Sequence, residues 1–184
     1  MVITDISELS ELSEALLALS GLIKYYPTVS YPLVENQVLP ATYQLAYSPL
    51  ITDPALDSIL QFFGTLVEAD GQIATYMIRG LLKNMDELGS DASPSNVSKC
   101  LAKIVSVQME IAAVTIAEVT KYIKVNPSSF WTGNWTDALL KPGTKTREQG
   151  VVLSLLTIGE IGRFLYDLAP FHNPIVSYPP YPVI

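Results

Sequence analysis

The sequence holds one cysteine and one histidine in 184 residues, 11 basic side chains, and no charge-free apolar run of about 18 residues. With Cys100 alone, no internal disulfide can form, and a reducing compartment is the natural setting. His172 is the sole imidazole, so a His-rich metal site is excluded, and a single thiol elsewhere does not complete a zinc ligand set. A Ser/His or Cys/His catalytic arrangement would have to use His172, which lies among prolines with no orienting partner nearby in sequence. The basic residues are outnumbered by 18 acidic ones, giving a net charge of -7 and a pI near 4.6. They form no cluster, which argues against nucleic acid as the main partner. Without a long apolar run no membrane span is expected, and MVITDISELSELSE has no basic flank of the kind a secretory signal carries. Asn96-Val-Ser and Asn134-Trp-Thr fit a glycosylation pattern but are chance matches in a reducing compartment. Period-2 alternation is missing too, so no strand is expected.

What the sequence does have is helical periodicity. Leu9, Leu12, Leu16, Leu19 and Ile23 recur at spacings of three and four, which predicts a helix from about Asp5 to Tyr25, ended by Pro27. A second helix is expected between Tyr31 and Tyr47, with a kink at Pro40. Asp53-Pro54 is a cap followed by a first-turn proline; it opens a third helix whose apolar face is Leu56, Ile59, Leu60, Phe63, Leu66 and Val67. Asp70-Gly71 ends it, and a fourth helix carries Ile73, Met77, Leu81 and Met85. Ser93-Pro94 repeats the cap-then-proline signal before Val97, Cys100, Leu101, Ile104 and Val105. One helix from Ser95 to Val125 would be unusually long, so a break is placed at Gln108 to Glu110, with Ile111, Val114, Ala117 and Ile123 on a sixth helix. A seventh is expected from Thr146, in capping-box spacing with Gln149, to Leu168.

Helix starts near Asp5, Asp53, Ser93 and Thr146 are separated by about 48, 40 and 53 residues, each interval holding two helices. That period predicts an all-α fold, a HEAT/armadillo-like α-solenoid of about three and a half repeats, each hairpin burying its apolar face on the next. Residues 1–170 would form the array, with 126–144 an inserted loop, and residues 171–184 a Pro-rich extended tail. Gly159 and Gly162 interrupt the seventh helix, where each costs roughly 1 kcal/mol relative to Ala. Close approach of a neighbouring repeat at those positions would explain them, against the plainer reading of a tolerated glycine or a kink.

Particular stretches resemble the Cand family, the cullin-associated, neddylation-dissociated proteins. SPLITDPALDSILQFFGTLVEADG (Ser48 to Gly71) is similar to one of its repeats, with a Ser-Pro-Leu loop leading into a helix that holds a Phe-Phe pair. Tyr76-Met77, Ser98-Lys99-Cys100 and LSLLTIGEIGRFLYDL (Leu153 to Leu168) follow in the family's order, the resemblance running from about Ser10 to Leu168. It implies a non-enzymatic HEAT-repeat scaffold, cytoplasmic and nuclear, that binds unneddylated cullin–RING ubiquitin ligases and regulates substrate-receptor exchange. The loop 126–144 and the tail depart from the pattern, and no partner-contact residue carries over. A segment of another HEAT adaptor, such as a nuclear transport receptor or phosphatase scaffold, is the alternative.

Chemistry-bearing residues are few. Trp131 and Trp135 are the candidate protein-interaction residues, since aromatic side chains on loops are enriched at binding hot spots; equally, their loop could cover an exposed edge of the array. Cys100 falls on an apolar stripe and reads as a buried structural thiol. Glu160 and Asp167 share a face but read as solvated or Arg163-paired carboxylates. Gly159-x-x-Gly162 follows no strand and lacks a P-loop lysine, so it is no nucleotide fingerprint. No catalytic residue, cofactor, metal or small-molecule substrate is expected. Leu-rich faces at both ends look uncapped, which predicts marginal stability or self-association of the chain.

Overall fold

The computed structural model describes residues 6–26, 32–51, 53–87, 92–121, 123 and 145–168; the side chains of 6–9, 84–87, 145–148 and 167–168 are not among them. The described residues form seven α-helices and no strand: α1 (Ile6–Tyr25), α2 (Leu39–Tyr47), α3 (Asp53–Ala69), α4 (Ile73–Glu87), α5 (Pro94–Val107), α6 (Ala112–Thr120) and α7 (Lys145–Leu168). The loop 126–144 and the tail 171–184 lie outside the described residues.

The expected kink at Pro40 takes another form. A π-helical turn, Val34–Val38, runs straight into α2, and Pro40 sits in the first turn after it. The Leu39 N–H donates to the Val34 carbonyl, five residues back. Proline has no N–H for the bond to residue 36 and its ring crowds that carbonyl, so a wider turn just before it accommodates both defects.

The break at Gln108 is where the sequence places it. Gln108 leaves helical geometry (φ -126°, ψ 86°), and a 3-10 turn, Met109–Ile111, leads into α6. Between α3 and α4 the chain turns tightly: the Gln72 N–H donates to the Asp70 Oδ1 (3.0 Å), and the Gln108 side chain lies against Gly71. Ser93 differs from its expected role. It has extended geometry at the start of α5, but its hydroxyl accepts no cap bond; instead its N–H donates to the Tyr47 carbonyl (2.8 Å). The Asn96 amide reaches the Ser48 carbonyl (3.3 Å), so the start of α5 holds the end of α2.

Odd-numbered helices lie side by side: α1 packs on α3, α3 on α5, and α5 on α7. On this row rest α2 and α4, which touch each other and α5, while α6 lies against α7 and α5. The central position of α3 explains its composition. It meets neighbours on both flanks, and Leu56, Ile59, Phe62, Phe63, Leu66 and Val67 are all buried; a helix covered on several sides is apolar over most of its circumference. From α1, Leu16 and Ile23 enter the same core, with Leu12 and Leu19 packed against it. A second, smaller cluster of Val105, Ala112 and Ile161 joins α5, α6 and α7.

Two side-chain bonds tie elements distant in sequence. The Tyr47 hydroxyl, buried, donates to the Leu81 carbonyl of α4. The Ser154 hydroxyl of α7 shares its proton between the Gly150 carbonyl (2.7 Å) and the Val119 carbonyl of α6 (2.5 Å).

Candidate functional site

α3 and α5 turn their apolar stripes into the core and leave a polar stripe outside. On α3 that stripe is Asp57, Gln61, Thr65 and Glu68, at helical spacing; on α5 it is Lys99, Lys103 and Ser106. Because the helices are laid side by side, these stripes line one groove. Its wider part, about 860 Å³, lies over α1, α3 and α5 between Lys24, Glu68 and Lys103. A narrower part of about 310 Å³ continues over α3, α5 and α7 to Glu160, Arg163 and Phe164. Asp57, Leu60 and Lys103 line both parts.

Lys103 is the central cation of this groove. A Cβ at Gly64 would stand 2.9 Å from its Cε, so the lysine stem lies close across α3 and would shift slightly if that glycine were replaced. Among the described residues no carboxylate comes within ion-pair distance of its ammonium. Arg163, in contrast, pairs with Glu160 at 2.6 Å, one helical turn away, as the sequence reading expects. Lys99 and Asp53 stand 4.0 Å apart and largely in water, where such a pair contributes little. The groove therefore sets lysines of α1 and α5 on either side of the α3 carboxylates, with Leu17 and Leu60 between them, and ends on the Glu160–Arg163 pair of α7.

Cys100 lies beneath the groove floor, fully buried. Burial pushes its thiol up to about 12, against a smaller downward pull from Lys99, so it stays protonated and unreactive at neutral pH. Tyr43, also buried, is raised well above the ordinary phenol range by burial first and by Tyr76 and Glu35 after it. Its hydroxyl finds no hydrogen-bond partner among the described residues, while its ring sits against Phe63 and over Gly80. Among the described residues no three His, Cys, Asp or Glu side chains gather as metal ligands would, and no helix is long and apolar enough to cross a membrane.

Trp131, Trp135 and His172 lie outside the described residues. Among the described residues Gly159 and Gly162 lack the expected close neighbour: a Cβ on either would meet no described atom within 4 Å. α7 is the last of the described helices in the row, and both glycines lie on its exposed side. The helix contact that does require glycine is at Gly80, under the Tyr43 ring. The groove itself went unread in the sequence, although the four-residue spacing of Asp57, Gln61 and Thr65 and of Lys99 and Lys103 was there to mark it.

Comparison with protein-family models and with curated proteins finds no match for this chain.

Proposed function

We propose that the chain is a HEAT-type α-solenoid segment, about three and a half repeats long, that acts without catalysis as a protein-binding scaffold. Its resemblance to the Cand family from Ser48 to Gly71 and from Leu153 to Leu168 gives the partner: an unneddylated cullin–RING ligase core, in cytoplasm and nucleus. The mechanism is steric. A rigid face occupies the cullin and excludes competing partners, which regulates substrate-receptor exchange.

The observation that supports this reading best is the shape of the groove. The odd-numbered helices lie side by side under an open groove, which suits an extended protein surface better than a small molecule. Lys103 at its centre, with no carboxylate partner among the described residues, provides a charge that a partner carboxylate can meet.

The test is a pull-down of purified cullin–RING core, with and without its ubiquitin-like modifier, on the immobilised chain. Retention of the unmodified form is expected, weakened about tenfold or more by Lys103→Glu. Failure to retain it, or equal retention of both forms, overturns the cullin reading. Selective capture of basic peptides instead would move the scaffold to another adaptor class.

A further inference from the structure

Among the described residues the exposed side of α7 is largely apolar, interrupted by Arg163. Val152, Leu155, Leu156 and Tyr166 are 46%, 56%, 38% and 73% exposed, and with Gly159 and Gly162 they fall within about 60° of Gly159 on the helical circumference. Opposite them, Leu153, Ser154, Thr157 and Ile161 are buried against the rest of the chain.

We infer that this face pairs with the same face of a second copy, two α7 helices crossing antiparallel at Gly159. The face is self-complementary in size about that residue. In an antiparallel pair centred there, positions equally far before and after Gly159 lie at the same level, and residues on the same side of the seam meet. Leu155 then meets Gly162 of the other copy, a large side chain over a missing one. Val152 meets Tyr166, and Leu156 meets the aliphatic stem of Arg163, whose guanidinium keeps Glu160. At the centre glycine faces glycine, where the open space at both Cβ positions admits a backbone at close range. The two glycines thus have a close neighbour after all, in another molecule.

The area sets the strength. The four exposed side chains offer on the order of 400 Å² per copy, about half of the ~800 Å² per partner of a standard interface. An area of that size suits only a weak, reversible dimer. This inference goes beyond the scaffold reading and does not rest on it: Leu155, Leu156, Val152 and Tyr166 lie outside the groove lining, and Arg163 borders both surfaces.

Sedimentation velocity on the full chain, from about 1 to 300 μM, is expected to show a monomer–dimer equilibrium. Leu155→Glu with Leu156→Glu raises the dissociation constant at least about tenfold without changing the circular dichroism, since both side chains are exposed. Gly159→Cys places a thiol on the twofold axis and cross-links to itself under mild oxidation. Gly21→Cys on α1, which also has open space at its Cβ, serves as the collision control and is expected to cross-link at least about tenfold more slowly. A chain that stays monomeric throughout overturns the inference, as it does if another protein or further chain covers this face. So does a dimer that survives the double substitution, or a Gly159→Cys thiol that couples no faster than the control.

Discussion

Gly80 and Gly159 occupy similar sequence surroundings and opposite physical ones. Each interrupts an amphipathic, leucine-containing helix, IRGLL in α4 and TIGEI in α7. A Cβ at Gly80 would fall 2.5 Å from Cε2 and 2.9 Å from Cζ of the Tyr43 ring, whereas at Gly159 it would meet nothing. The difference lies in the neighbours. α4 is held against α2, and Tyr43 has no room to retreat because Phe63 backs its ring at 6.0 Å between centroids. α7 is the last of the described helices in the row, with one side exposed. A glycine in a helix thus signals either a contact already made or one still open, and only the packing tells which.

The widest separation between the two regions should appear in the cores. Phe63 is completely buried in the large cluster between α2, α3 and their neighbours, and Phe63→Ala should cost about 3–5 kcal/mol. Ile161 is equally buried, but in the small cluster at the α7 end, where the surroundings can collapse; Ile161→Ala should fall near the lower limit for such truncations, about 2 kcal/mol. Urea unfolding of both variants checks this, and equal losses would mean that the two ends are equally well packed. Gly80→Ala comes next. The added methyl must displace a rigid ring, and a loss of about 1–3 kcal/mol is expected. In a Tyr43→Ala background the same change should cost nothing further, because the obstacle has gone. A penalty that persisted there would trace to something other than the ring.

The helices were legible because their signals are local. Asp53-Pro54 and Ser93-Pro94 mark the starts of α3 and α5 in the chain itself, and Gln108 leaves the helix in the gap between two apolar runs. Features that depend on three dimensions were not legible. The tyrosine over Gly80 comes from a helix whose register is set by a π turn, and Lys103 reaches Gly64 only because α5 lies beside α3. The groove follows the same logic. Its polar stripes are written at helical spacing, but on their own they describe any solvated helix face, and become a site only when three or four such faces adjoin.

A smaller effect tests how α7 is held in place. Ser154→Ala removes the bond to the Val119 carbonyl and should cost about 1 kcal/mol. Ser154→Thr keeps the hydroxyl but adds a methyl at a fully buried position, and should not restore stability. Amide hydrogen exchange is the informative measurement, because the loss should concentrate in α6 and α7 and leave α3 protected. Uniform loss along the chain would mean that the α7 end unfolds together with the rest.

The smallest expected change has the opposite sign. With open space at its Cβ, Gly159→Ala should stabilise the monomer by about 0.5–1 kcal/mol through helix propensity, the reverse of what the same substitution does at Gly80. At high concentration it should have a second consequence. Two methyl groups placed where two helices cross would hold the backbones apart, so the variant should melt higher when dilute yet dimerise more weakly than the parent chain. The two effects separate in one experiment, thermal unfolding over a range of protein concentrations. The parent chain's melting temperature should rise with concentration, and that of the variant should start higher and stay nearly flat. If the substitution is destabilising even when dilute, Gly159 is already in contact within the monomer, and the contrast between the two glycines disappears.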